Sequence, residues 1–421
     1  MSSSKLSQLA ETLIGSEIVR LGAEIKEKIK QGNKIYNYTI GDFDSSVFPI
    51  PQALEEEIIK SFKQHNTTYP PAEGTLELRE AVSKFILDRE GIQFSTSEIL
   101  IAAGGRPLIY SAFRAIVDKE DKVIYAVPSW NNNHYVHFTE GEHVVIESKQ
   151  ENNFMPTAEE IKQHINGATL LALCSPLNPT GTAFTNEELT AICNLIIEEN
   201  ERRGDYEKKL YLMYDQIYWT LTFGNTEHYN PVSIHPKMKE YTIFIDGISK
   251  AFAATGVRVG WALGPANVIN KMKAINSHVG AWAPMAEQKA VANYLLQTEN
   301  INAYFNHFKA EVDERLRRIY VGFQQLKVEG FDVDAIAPQA AIYLTIQVNL
   351  AGKTTDTHKC LETQSDVTAY LLNEAKLAVV PFYAFGASRS SSWYRLSVGT
   401  CKKEEIDEML GMLKTALTKL S

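Results

Sequence analysis

The stretch Asp246–Gly264, DGISKAFAATGVRVGWALG, sets two cations, Lys250 and Arg258, among small and apolar neighbours. Like charges in apolar surroundings are costly unless an anion or covalent chemistry compensates them. Either the two lie on a solvated loop, or something negatively charged sits between them. The stretch is bounded by two apolar runs, YTIFIDG (241–247) before the lysine and VRVGWALG (257–264) around and after the arginine. Both have the length and composition of buried strands, which places the pair in a loop between strands of one sheet.

Working outward, the runs SEILIA (97–102), DKVIYAV (121–127), TLLALCSP (169–176) and KLYLMYD (209–215) repeat that pattern. Between them lie segments with helix starts: Thr157 with Glu160 and Thr185 with Glu188 each fit a capping box, and Gly204 marks the end of the second helix. Strand–helix alternation of this length predicts an α/β fold whose large domain is a mostly parallel sheet sandwiched by helices. Ligands of such sheets bind at the carboxyl ends of strands.

From about Ala303 the pattern changes to a long helix (303–326), short strand-like runs (331–337, 340–348, 394–400) and a closing helix (403–420). These form a smaller α+β domain. The expected organisation is an N-terminal arm over 1–48 that contributes to the small domain, a large domain over 49–302, and the small domain proper over 303–421. The long helix is the expected hinge.

The chain has 421 residues, 44% of them hydrophobic and 22% charged, with a formal net charge of −9. That is an ordinary soluble composition, and the acidic balance argues against nucleic acid or an anionic membrane as a partner. The one histidine cluster, His134, His137 and His143, has no cysteine company and fits no zinc spacing, so no metal is expected. Cys174, Cys193, Cys360 and Cys401 are scattered, as in a protein with reduced thiols. The first residues lack the apolar core of a signal peptide, and no apolar run reaches bilayer length. A cytoplasmic protein is expected.

Four strand-end loops carry groups for chemistry. SPLNPTG (175–181) is a rigid turn presenting Asn178. YDQIY (214–218) offers Asp215 and Tyr218, and a carboxylate at a buried strand end needs a partner. AAGGRPLIY (102–110) exposes backbone N–H groups around Gly104 and Gly105 at a helix start, a ready anion site. The loop of Lys250 and Arg258 is the fourth. A phosphate-bearing pyridine cofactor, pyridoxal 5'-phosphate, uses all of them. The lysine forms an imine with its aldehyde, the aspartate holds the ring nitrogen protonated, the tyrosine and asparagine bond the ring oxygen, and the arginine clamps the phosphate.

Taken in order, YPPAEGTLELREAV (69–82), AGGRP (103–107), PSWNNNHY (128–135), SPLNPTG, YDQIY, SKAFAATGVRVGW (249–261) and WYRLSVG (393–399) resemble the class I/II aminotransferases of fold-type I. The resemblance runs from about Lys34 to Leu420. It implies that Lys250 is the Schiff-base lysine and the base at the substrate Cα. Asp215 would pair with the pyridinium nitrogen, and Tyr218 and Asn178 with the 3' oxygen, Asn178 also facing substrate. Arg258 would bind the phosphate with Gly104, Gly105, Arg106 and Ser249. Trp130 would stack on the ring or serve as a core tryptophan. Arg395 would grip the substrate α-carboxylate near Gly41, and Tyr69 would reach the phosphate of a neighbouring subunit in a homodimer with shared sites.

Two positions depart from the family. Gly247 and Gly105 stand where hydroxyl residues are frequent, with Ser249 and Arg106 as replacements. Gly280, Ala281 and Trp282 replace a hydroxyl-bearing segment facing the partner, so Trp282 is either dimer packing or the wall of a hydrophobic side-chain pocket. Arg389 is either a second-carboxylate ligand or a solvated loop arginine. The expected activity is transfer of an amino group from an L-amino acid to a 2-oxo acid by a ping-pong mechanism. The alternatives are another pyridoxal-phosphate reaction on the same scaffold (β-elimination, decarboxylation, cyclopropane-carboxylate synthesis) and a non-catalytic binding protein. These residues do not name the amino donor.

Overall fold

The computed structural model describes residues 6–421 apart from Ser16. Residues 1–5, part of the segment judged above for a signal peptide, lie outside the described residues.

Thirteen strands are arranged in three sheets. The first is β1 (Tyr36–Asn37), followed by β2 (Ile99–Ala102), β3 (Lys122–Val127), β4 (Glu142–Glu147) and β5 (Ala168–Cys174). Next come β6 (Tyr211–Asp215), β7 (Thr242–Gly247) and β8 (Gly260–Leu263). The later part holds β9 (Val333–Ala335), β10 (Tyr343–Val348), β11 (Leu377–Ala378), β12 (Val380–Pro381) and β13 (Trp393–Ser397).

The large sheet has seven strands in the order β2-β8-β7-β6-β5-β3-β4. β4, β3, β5, β6 and β7 are mutually parallel, while β8 pairs antiparallel with both β7 and β2. Only β8 is reversed, because the chain returns from β7 through the opening stretch without a crossover helix of full length. Strand residues alternate between two cores: Leu170 and Ala172 pack with the helix Gly105–Ile116 on one face, Leu171 and Leu173 with the helix Asn186–Arg203 on the other. Burial on both faces is why these strands read as continuous apolar runs. The helix Asn186–Arg203 has the Thr185/Glu188 capping box at its start and Gly204 at φ +57° at its end.

The second sheet is fully antiparallel, β12-β13-β10-β9, and β1 from the N-terminal segment pairs in parallel with β11 beside it. The helix Thr298–Val328 begins five residues before the expected Ala303. Its Ile301 and Phe305 sit in the core of the large sheet, and Phe308, Val312, Leu316, Ile319 and Phe323 in that of the small one. At 1.5 Å per residue it extends about 46 Å through both. Among the described residues no helix is long and apolar enough to cross a membrane.

The expected strand VRVGWALG forms only over Gly260–Leu263. Arg258 adopts φ +62°, and a left-handed residue cannot extend a β-ladder.

Candidate active site

A cavity of about 960 Å³ opens at the carboxyl ends of β5, β6 and β7 and against the small sheet. It brings together Lys250, Asp215, Tyr218, Asn178, Arg258, Gly105, Arg106, Trp130, Ser249, Arg395 and Gly41. Gly104 lies directly behind its wall, against Arg258.

Asp215 ends β6. Its Oδ1 accepts a hydrogen bond from the Ile217 backbone N–H at 3.1 Å. No cation pairs with it among the described residues, and burial pushes its carboxyl up to about 6. Lys250 sits in the short helix Ile248–Ala251, and its Nζ donates to the Gly41 carbonyl at 2.6 Å. The ammonium lies 5.6 Å from the Phe43 ring centre and 5.9 Å from that of Tyr218. Burial pulls its pKa down to about 8, helped by the positive charges of Arg395, Arg106 and Arg258 and opposed by Asp42.

Arg258 spends two donors on backbone carbonyls, Nη1 on Thr255 of its own loop and Nη2 on Ala103 of the loop after β2, both at 2.7 Å. A side chain at Gly104 would collide with this guanidinium, and Gly104 adopts φ +86°. Gly105 then opens the helix Gly105–Ile116, whose first N–H groups have no intrahelical acceptor. Arg258 and the helix start thus form an anion cradle. The structure also explains one departure. A Cβ on Gly247 would lie 2.7 Å from the Cα of Gly260, and one on Gly260 would lie 2.8 Å from the carbonyl carbon of Gly104. Gly247 is required by backbone packing between β7 and β8, so no hydroxyl residue fits there.

Arg395 on β13 is buried. Its Nη1 donates to Asn178 Oδ1 at 3.0 Å and its Nη2 to the Thr39 carbonyl at 2.6 Å, while its Nε has no partner. The guanidinium lies 4.8 Å from the Tyr343 ring centre and 4.9 Å from that of Phe385. Because Asn178 accepts through its oxygen, its amide N–H groups remain available to the cavity. Trp130 carries the Arg106 guanidinium at 5.5 Å from its ring centre and leans on Phe385, so it is both a cavity wall and part of a small aromatic core.

Three residues lie elsewhere. Tyr69 is 84% exposed and meets Trp282 edge-to-face at 5.4 Å, and neither lines the cavity. Trp282 therefore forms no wall of a side-chain pocket within this chain. Arg389 is exposed over the Tyr383 ring, away from the cavity.

Several residues of the site were not singled out from the sequence. Tyr343, whose hydroxyl is 2.6 Å from that of Tyr218, sits in an apolar run that reads as core. The helix Glu17–Lys30 buries Leu21 and Ile25 against Leu372 and Ala378 and turns Ile18, Gly22 and Lys26 to the cavity. Its four-residue spacing was the available signal.

Comparison with known proteins shows the family. Residues 34–413 match the family model "Aminotransferase class I and II". The aspartate aminotransferase of Bacillus sp. (strain YM-2) is 31% identical over 399 residues, covering 94% of this chain and 95% of that protein. The crystal structure of the aspartate aminotransferase from Rhizobium meliloti superposes with a TM-score of 0.88 at 25% identity, over 100% of both chains. That of the Thermus thermophilus aspartate aminotransferase with maleate superposes with a TM-score of 0.85 at 28% identity, over 98% of this chain and 100% of that one.

Proposed function

The chain belongs to the class I and II aminotransferases and is a pyridoxal-phosphate-dependent transaminase, and within that family we propose that it moves the amino group of an acidic L-amino acid, aspartate foremost, to a 2-oxo acid in two half-reactions. The observation that carries the acidic donor is a pair of guanidinium groups in one cavity with Lys250. Arg395 keeps a free Nε, and Arg106, like Arg395, has no carboxylate within 4 Å among the described residues. One would take the α-carboxylate and the other the side-chain carboxylate. The names of the relatives support this, as does the Thermus thermophilus structure with maleate, a dicarboxylate.

The residues fit the cofactor. A buried acid without a cation suits a protonated ring nitrogen, and the Gly104–Gly105 cradle with Arg258 suits a phosphate. Pyridoxal phosphate supplies an aldehyde and an electron-withdrawing ring. In this reading the Lys250 Nζ would hold the cofactor's aldehyde carbon and, when free, would take the substrate Cα proton. An amine held near 8 is partly neutral at physiological pH, as a base must be. Asp215 would keep a proton on the ring nitrogen, Tyr218 and the Asn178 amide would donate to the ring oxygen, and Trp130 would line one wall of the ring's site. Tyr69, exposed beside Trp282, supports a homodimer in which it serves the partner's phosphate, and we place that dimer in the cytoplasm. The same reading divides the chain into a large unit over 49–302 and a smaller one from 1–48 and 303–421.

The test is the visible spectrum of the protein loaded with pyridoxal phosphate, taken as single amino acids are added. Aspartate and glutamate should bleach the band at far lower concentration than alanine or phenylalanine, with one equivalent of 2-oxo acid formed. Preference for an apolar amino acid would sink the acidic assignment. Release of ammonia or CO₂ would sink the transfer reaction.

A further inference from the structure

We propose that Tyr343 is a positioning residue: its hydroxyl donates to the hydroxyl of Tyr218, which leaves the Tyr218 proton free to point into the cavity. The inference rests on the reading above, in which Tyr218 serves the ring oxygen of the bound cofactor.

The two oxygens are 2.6 Å apart and both side chains are buried, with ring centres 5.5 Å apart at 68°. Two hydroxyls at that distance share one hydrogen bond, so one donates and the other accepts. The surroundings decide which. Arg395 stands 4.8 Å from the centre of the Tyr343 ring, closer than the Lys250 ammonium at 5.9 Å from that of Tyr218, and the nearer cation on the ring face makes the Tyr343 hydroxyl the stronger donor. Neither hydroxyl has another hydrogen-bond partner among the described residues, so the stronger donor gives its proton to the shared bond. Tyr218 therefore accepts from Tyr343, and its own proton turns away from it.

The backbone holds this geometry from three sides. Tyr343 opposes Ser397 and Thr345 opposes Arg395 across β10 and β13, which makes Tyr343 and Arg395 diagonal neighbours on one sheet face. Gly181, at φ +71°, lets the turn that carries Asn178 press directly on the Tyr343 backbone, where a Cβ would collide. A Cβ on Gly41 would lie 2.9 Å from the Tyr343 hydroxyl and 3.4 Å from Arg395 Nη1, so the glycine leaves room for both. The titratable groups facing the pair are Lys250, Arg395, Cys174 and Asp42.

A hydroxyl that accepts one hydrogen bond donates the next more strongly. A stronger bond from Tyr218 withdraws negative charge from the ring oxygen, and the neighbouring Lys250 nitrogen then holds its proton less tightly. The experiment is Tyr343→Phe in the pyridoxal-phosphate-loaded protein. It keeps the ring under Arg395 and removes only the hydroxyl. The readout is the pH midpoint of the visible absorption change in the absence of substrate, with circular dichroism as the check on folding. The midpoint should rise by roughly half a unit. In a Tyr218→Phe background the same substitution should move nothing.

An unchanged or lowered midpoint overturns the inference, as does a shift that survives without the Tyr218 hydroxyl. If the unsubstituted protein develops no visible band with pyridoxal phosphate, the functional reading itself fails and the inference with it. A normal band with an immobile midpoint condemns the inference alone.

Discussion

Two buried carboxylates, each beside a large cavity, have opposite surroundings. Glu90, at the end of the helix Leu76–Glu90, adjoins a cavity of about 1070 Å³ between the 219–230 loop and the start of the long helix. It accepts from Gln216 Nε2 at 2.7 Å and Asn230 Nδ2 at 3.1 Å, and His228 stands 3.7 Å away, kept neutral because burial pulls it to about 3. Asp215 has one backbone N–H and a cavity containing Lys250, Arg106, Arg258 and Arg395. Burial raises both acids, Glu90 to about 7 and Asp215 to about 6. A raised acid therefore does not mark a site by itself. What separates the two is unspent charge: amides satisfy Glu90 locally, whereas the cations around Asp215 have no carboxylate within 4 Å among the described residues.

The strongest way to break this contrast is to remove the charges. Lys250→Ala should lower turnover by roughly 10⁴-fold or more, because in the proposed reading one side chain supplies both anchor and base. Single-turnover kinetics with the fold verified by circular dichroism would show it, and near-normal turnover would remove Lys250 from the chemistry. Asp215→Ala should slow the reaction by roughly 10²- to 10⁴-fold while the protein still takes up pyridoxal phosphate. An unchanged rate there would mean that the ring nitrogen needs no acid.

Arg106→Ala sharpens the comparison, because its effect should be selective. We expect kcat/KM for aspartate to fall about 10- to 100-fold and that for alanine to change little. Equal losses for both would make Arg106 a cofactor ligand only.

Glu90→Gln should leave kcat/KM within about twofold and act on pH dependence instead. Glu90 has a higher pKa folded than unfolded, so the folded state holds the extra proton between the ordinary carboxylate value and about 7. Stability contributed by this group therefore falls as pH rises through that window. In the apoprotein, the decline of the thermal midpoint across it should be shallower for Glu90→Gln, and an identical decline would show that Glu90 does not titrate there.

Much of the large sheet could be read from the chain, because strands buried on both faces are nearly continuous apolar runs and the Thr185 and Gly204 signals are local. The reversal of β8 was hidden, since direction depends on the connection and Arg258 ends the apparent run by a left-handed turn. Side chains with unusual chemistry for a strand end, such as Lys250 and Asp215, could be singled out. Tyr343 could not, because a tyrosine in an apolar strand looks like packing until its hydroxyl is seen to meet that of Tyr218. Gly247 was read as a missing hydroxyl, whereas its neighbours show a position where only backbone fits. Tyr69 is exposed and Trp282 half-buried against it, and what else the pair touches lies beyond one chain.

The helix Thr298–Val328 has a mechanical consequence. Between Phe305 and Phe308 its packing passes from one core to the other, so those residues form the fulcrum of a beam. Arg395 and Tyr343 stand on the sheet at one end, Asp215 on the sheet at the other, with Lys250 in the short helix that follows β7. In the proposed reading, a substrate held by Arg395 and worked on by Lys250 would be a rivet through both sheets. Its binding energy would add to the stability of the assembled whole by mass action, and a tilt of the beam would change the distance between grip and base without loosening either.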